Sequence, residues 1–193
     1  MQIGETMSLL RATLPDALAI IVPRHPERGD MIAAQLRAAG HNVAQRSQDA
    51  LPAPDTHIYL ADTLGELGVF YRLADIVLMG GTLVPHGGQN PMEAAQLSCA
   101  ILHGPHIANF SEIFDALTAR QAVASISDAP TLAAQITALL QNPASVEKMA
   151  EAAAGYAAEM SGARARVQTL LAPYLVDPKA APEAFAPAEA HDG

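Results

Sequence analysis

The chain has 193 residues, a formal net charge of −9 and a single cysteine, Cys99. Half of its residues are hydrophobic and 16% are charged, which excludes an intrinsically disordered chain. The acidic balance argues against nucleic acid as a partner, and one cysteine excludes both an internal disulfide framework and a cysteine-based zinc site. No apolar run approaches the ~20 residues that span a bilayer, and no signal peptide is readable. We therefore expect a soluble globular protein of a reducing compartment.

Strand and helix signals alternate along the chain. The predicted strands are 17–22, a weak one at 43–46, 57–61, 75–79, 100–103 and 122–126. The predicted helices are 29–39, 64–74 capped by Asp62-Thr63, one that begins at Pro91 with Asn90 as its N-cap, 111–119, 129–140 and 144–171, the last with Gly155 or Gly162 as places where it could break. This order predicts an α/β, Rossmann-like domain over residues 1–172, with a mostly parallel sheet and helices on both faces. From Pro173 the composition shifts to Pro, Ala and Glu, which predicts a disordered tail over 173–193.

Ligands bind outside the carboxyl ends of the strands in such a sheet, so the loops after the predicted strands are candidate sites. Pro23 and Arg24 follow the first strand. Arg24 and Arg28 could bind a phosphate or carboxylate through paired hydrogen bonds. The alternative is a solvated loop with surface ion pairs. Leu64, Gly65 and Glu66 follow the third strand at a predicted helix start, which attracts anions. The alternative there is a plain capped helix with an acid in its first turn.

The densest segment follows the fourth strand. Its glycines allow positive φ and close approach of the backbone to a ligand, which predicts a phosphate loop made by Gly80, Gly81, Thr82, Gly87 and Gly88. The loop leads into a helix start whose candidate ligand contacts are Asn90, Pro91, Met92 and Glu93. The Glu93 carboxylate could accept both protons of a ribose diol. The alternative is a glycine-rich turn closed by a capping box of Asn90 and Glu93.

No chemistry is predicted for the histidines near these loops or for the cysteine. His86, His103 and His106 do not follow a metal-ligand spacing, so no metal is predicted, and no cofactor is predicted either. His106 follows the fifth strand and could point into the cleft. Cys99 lies in an apolar context and is expected to be an inert core residue.

These segments together resemble one family, the 3-deoxy-D-manno-octulosonic acid (Kdo) transferases of glycosyltransferase family 30. The resemblance covers residues 4–172 and is carried, in order, by 22–28 (VPRHPER), 62–67 (DTLGEL), 71–75 (YRLAD), 80–93 (GGTLVPHGGQNPME) and 104–110 (GPHIANF). Thr82 stands where serine is commoner in the family, and His86 where arginine is common. A neutral imidazole at residue 86 would not replace a guanidinium contact at pH 7.

The resemblance implies a two-domain GT-B fold and transfer of Kdo from CMP-Kdo to a lipid A precursor at the cytoplasmic face of the inner membrane. It places CMP against Pro23 and Arg24, against 64–66, and against 90–93. It implies no catalytic residue in this chain, since the family's general base and acceptor site lie in an N-terminal half that this sequence does not match.

The sequence therefore predicts the donor-binding part of a glycosyltransferase, inactive on its own and resembling a fragment. Gly4-Glu5 resembles the end of the segment that links the first strand of the family's second domain to its first helix. The alternatives are a non-catalytic nucleotide-sugar-binding module, an inactive truncated copy that needs a partner domain, and, less well matched by the motifs, a free-standing nucleotide-sugar epimerase.

Overall fold

A computed structural model describes residues 2–176 of the chain, without the side chains of 163–166 and 173–176. The helices are α1 Gln2–Arg11, α2 Gly29–Ala38, α3 Leu67–Leu73, α4 Met92–Gln96, α5 Ser111–Ala119, α6 Ala129–Leu140 and α7 Pro143–Val176. The strands are β1 Ala19–Ile21, β2 Val43–Gln45, β3 Ile58–Leu60, β4 Ile76–Leu78, β5 Ala100–His103 and β6 Val123–Ser125. None of the helices within residues 2–176 is long and apolar enough to cross a membrane.

The strands form two parallel three-stranded sheets, with orders β1-β3-β2 and β4-β5-β6. The predicted parallel pairing is confirmed, and it is divided between these two sheets. Over the described residues, β1 pairs with β3 alone and β4 pairs with β5 alone. Both of these edge strands are apolar yet only partly buried, whereas β3 and β5 are buried throughout.

Helices cover both faces of each sheet, as predicted. Around the first sheet, α1, α2 and α6 bury one face, and Phe70 of α3 packs on the other with Tyr59. Around the second, α4, α5 and residues 152–157 of α7 pack on one face, while α6 and the start of α7 cover the other. Ile136 of α6 packs against the clusters beneath both sheets, so α6 spans the space between them. The two halves are thus joined through helices rather than through strand pairing.

Two predicted helix starts are corrected. The helix expected from Leu64 begins at Leu67, because Gly65 adopts φ 88° and Asp62 accepts hydrogen bonds from Gln45 and Ser47 instead of capping. The N-cap expected at Asn90 lies at Pro91, so α4 begins one residue later than predicted.

The two ends of the chain also differ from the expectation. Gly4-Glu5 lies inside α1 rather than in a linker, and residues 2–18 contain no strand. Helix α7 continues without a break through Gly155 and Gly162 and past Pro173 to Val176. The rest of the predicted tail, 177–193, lies outside the described residues. Helices α5 and α6 have the predicted bounds.

Candidate functional site

The loop after β1 presents two cations to solvent. Arg24 and Arg28 are exposed, and neither has an ion pair among residues 2–176. Within this loop His25 Nδ1 lies 3.2 Å from Glu27 Oε1, and both side chains are exposed. Pro23 is partly buried at the base of the loop. Both guanidinium groups are therefore available to an anionic ligand.

The loop after β3, residues 62–66, is held at its C-terminal end by a guanidinium–carboxylate contact. Arg46 donates from Nε to Glu66 Oε2 at 3.2 Å and from Nη2 to Glu66 Oε1 at 3.1 Å. The Thr63 hydroxyl also donates to the Glu66 carboxylate. The hydrogen bond from Thr63 and the contact with Arg46 lower the pKa of Glu66, so this side chain is ionised at neutral pH. Between these ends, Leu64 is 82% exposed.

The N-terminal end of the same loop is held by the buried carboxylate of Asp62. Its Oδ1 accepts from the Ser47 backbone N–H at 2.9 Å, and its Oδ2 accepts from the Ser47 hydroxyl at 2.7 Å and from Gln45 Nε2 at 2.8 Å. Burial raises the pKa of Asp62, but these hydrogen bonds outweigh it and the pKa is lowered overall. Gln45 Nε2 also lies 2.8 Å from Asp30 Oδ1, at the start of α2.

The loops after β1 and β3 meet where Gly29 packs on Asp62. A Cβ atom on Gly29 would lie 2.1 Å from Asp62 Oδ2, which is closer than side chains approach. The structure thus brings the segment that ends at Arg28 directly beside the segment that begins at Asp62.

The glycine-rich loop after β4 is packed around the buried side chain of Thr82. The Thr82 hydroxyl donates to the Met79 carbonyl at 2.6 Å and accepts from the Gly104 N–H at 2.8 Å. Gly81, Gly87 and Gly88 have φ values of 71°, 82° and 80°, which L side chains rarely adopt. These backbone requirements explain Gly81, Gly87 and Gly88 without a ligand. The Gly88 N–H donates to the Gly81 carbonyl at 3.2 Å, so this amide is not free to bind phosphate.

The segment that begins α4 does not form the capping box of Asn90 and Glu93 that was the alternative to a ligand site. Asn90 Oδ1 accepts from the Met92 N–H at 3.0 Å, and the Glu93 carboxylate accepts no hydrogen bond from the Asn90 N–H in the described part of the chain. Glu93 is exposed, and its Oε1 lies 3.9 Å from the position of a Cβ atom on Gly68 of α3. Burial and, next, the nearby Glu93 charge raise the pKa of Tyr71 to about 12. The Glu93 carboxylate is therefore exposed and lies beside α3.

The predicted ligand residues thus lie along one rim, at the carboxyl ends of β1, β3 and β4. The sequence analysis missed Gln45, Arg46 and Ser47, which hold the loop after β3. A signal was present, because Arg46 and Ser47 directly follow β2, and the carboxyl ends of the strands in one parallel sheet lie at the same edge. Residues 2–176 contain no group of three or more His, Cys, Asp or Glu side chains that could hold a metal ion.

No family model matches the chain. It is 38% identical over 167 residues to the 3-deoxy-D-manno-octulosonic acid transferase of Haemophilus influenzae and 38% identical over 166 residues to that of Bordetella pertussis. Each alignment covers 86% of this chain but 39% of the relative, so the chain spans about two-fifths of their length. The crystal structure of the C-terminal CMP-Kdo binding domain of WaaA from Acinetobacter baumannii superposes with a TM-score of 0.75 at 31% identity, covering 79% of each chain.

Proposed function

Because the chain belongs to the Kdo transferase family, we propose that it binds the donor nucleotide sugar CMP-Kdo and presents it for transfer to a lipid A precursor. The observation that carries this proposal is the rim at the carboxyl ends of the strands. There the exposed guanidinium groups of Arg24 and Arg28 and the free carboxylate of Glu93 face solvent without charged partners of their own in the described part of the chain.

The chemistry of CMP matches these groups. A guanidinium binds a phosphate through two parallel hydrogen bonds, which is the role we assign to Arg24. A carboxylate accepts hydrogen bonds from both hydroxyls of a ribose, which is the role we assign to Glu93. We assign the remaining contacts with CMP to the segment 64–66 and to the residues from Asn90 to Met92. Gly80, Gly81, Thr82, Gly87 and Gly88 are assigned to the shape of the loop more than to phosphate, since the Gly88 amide is already bonded.

The reaction we propose for the whole protein is transfer of Kdo at the cytoplasmic face of the inner membrane. No catalytic residue, metal, cofactor or nucleic acid is assigned to residues 1–193. We expect these residues on their own to bind the donor without transferring it, because general-base catalysis and the positioning of the acceptor contribute much of such a rate. Transfer of Kdo to a lipid A precursor by the purified chain would contradict this, and it would also exclude the alternative of a non-catalytic binding module.

Calorimetric titration of the purified chain with CMP tests the binding proposal directly. We expect saturable binding that weakens with rising salt, since an Arg–phosphate contact is screened. Arg24→Met should weaken binding, and Arg120→Met is a matched control because Arg120 pairs with Glu159 and stacks on Tyr156 away from the rim. Equal loss in both variants, or no binding by the unaltered chain, would contradict the proposal.

Glu93→Gln separates the ligand role of this carboxylate from a capping role. Loss of a charged acceptor should weaken CMP binding roughly ten- to a hundredfold, because a hydrogen bond to a charged group contributes about 1.5–3 kcal/mol. Thermal unfolding should change little, since Glu93 makes no hydrogen bond to the Asn90 N–H in the described part of the chain. Unchanged CMP affinity with a lowered Tm would favour the capping role instead.

A further inference from the structure

We propose that Arg46 and Ser47 form a positioning clamp for the nucleotide site, acting through Glu66 and Asp62 rather than on the ligand. This inference rests on the proposed function, since it concerns the loop expected to contact CMP. The clamp is defined as the two side chains that follow β2, and its target is the loop 62–66 after β3.

Within the clamp, Arg46 holds the C-terminal end of the loop through Glu66. Its two hydrogen bonds to Glu66 at 3.1 and 3.2 Å use both carboxylate oxygens, and the pair is only partly exposed. Forked contacts of this kind fix orientation as well as distance. The contact spans 20 residues of sequence and joins the residue after β2 to the N-cap residue of α3.

Ser47 holds the N-terminal end of the loop through Asp62. Its N–H and hydroxyl occupy both oxygens of Asp62, at 2.9 and 2.7 Å, and Asp62 is 6% exposed. Gln45 adds a third hydrogen bond to Asp62 and reaches Asp30 in the first turn of α2. Because Gly29 packs on the same carboxylate, Ser47 also fixes the junction with the loop that carries Arg24.

The tip of the loop has little support of its own. Leu64 is 82% exposed, and no atom lies within 4 Å of the Cβ position of Gly65. The position of the tip therefore depends on its two clamped ends. Holding a loop in its bound geometry before the ligand arrives reduces the ordering cost of binding, which is the function we assign to the clamp.

A comparison of two Arg–Glu pairs tests this. Arg46→Met should weaken CMP binding roughly two- to thirtyfold, the range for residues that act through a neighbour. Arg120→Met removes an exposed Arg–Glu pair that is joined by one hydrogen bond between the C-cap of α5 and α7, and it should leave CMP affinity unchanged. A change of less than about twofold in Arg46→Met, measured by calorimetry, would overturn the proposal.

A double-mutant cycle with Glu66→Ala distinguishes positioning from direct contact. If Arg46 acts through Glu66, adding Arg46→Met to Glu66→Ala should cause no further loss of CMP affinity. A further loss in the double variant would overturn the proposal, because Arg46 would then contact the nucleotide itself.

Hydrogen exchange without ligand keeps the clamp testable apart from the proposed function. Arg46→Met and Ser47→Ala should speed amide exchange at residues 63–66, whereas Arg120→Met should not. Unchanged exchange at these residues would overturn the clamp whatever the CMP affinity. Absence of CMP binding by the unaltered chain would overturn the proposed function, while faster exchange confined to the clamp variants would still support the clamp.

Discussion

At the scale of single residues, Gly29 has no room for a side chain. It begins α2, and a Cβ atom there would lie 2.1 Å from Asp62 Oδ2 and 2.9 Å from Asp62 Cβ. Gly29→Ala must therefore displace Asp62 from its hydrogen bonds with Ser47. We expect a loss of about 1–3 kcal/mol in the free energy of unfolding, the usual cost of overpacking, measured by urea denaturation.

Gly155→Ala is the matched control for that substitution. Gly155 lies inside α7, and no atom lies within 4 Å of its Cβ position. Alanine in an exposed helix interior is more favourable than glycine by up to ~1 kcal/mol, so this variant should be as stable as the unaltered chain or more stable. Equal stability of Gly29→Ala and the unaltered chain would contradict the packing described for Asp62.

At the scale of elements, α1 is tied to β3 through His57. Arg11 Nη1 and the Asn42 backbone N–H both lie 3.0 Å from His57 Nδ1, so this nitrogen accepts and the ring is neutral. Burial, then the charge of Arg11, lowers the pKa of His57 below its usual 6.5. The folded chain therefore binds fewer protons than the unfolded chain below pH 6.5.

Stability should accordingly fall as the pH drops from 6.5 towards the folded-state pKa of His57. Urea midpoints measured from pH 7.5 down to 5 should show this decline, and His57→Gln should flatten it. The carboxylates with lowered pKa values, Asp62, Glu66 and Asp128, add their own losses at lower pH as they become protonated. An unchanged slope in His57→Gln would assign the decline to other groups.

The elements that sequence patterns predicted well are those fixed by local signals. Helix α6 begins with a capping box of Asp128 and Thr131, and its bounds are as predicted. Helix α3 was predicted three residues too early because the side chain of Asp62 is used by Ser47, a partner 15 residues away in the sequence. In the candidate site, too, the features fixed by local signals were predictable and those fixed by distant partners were not. Strand-end loops were predictable from the order of elements, but the contact of Arg46 with Glu66 depends on how β2 lies beside β3.

At the scale of the whole molecule, strand pairing is the feature that local patterns could not give. The chain has the strands of a parallel sheet, but they form two sheets bridged by α6, since pairing depends on neighbours distant in sequence. As a result β1 and β4 each have one edge without a paired strand in the described part of the chain. Partly buried apolar edges of this kind are templates for pairing with other chains.

We therefore expect the purified chain to associate as its concentration rises. Leu18, which directly precedes β1 and is 43% exposed, is the position at which a charge should interfere most with pairing at that edge. Leu18→Lys should lower the mean mass measured by light scattering at high concentration without lowering the Tm. Leu51→Lys is the matched control, because Leu51 is 75% exposed in a loop outside the strands. A chain that stays monomeric at all concentrations, or an equal effect of both substitutions, would show that the open edges of β1 and β4 do not drive association.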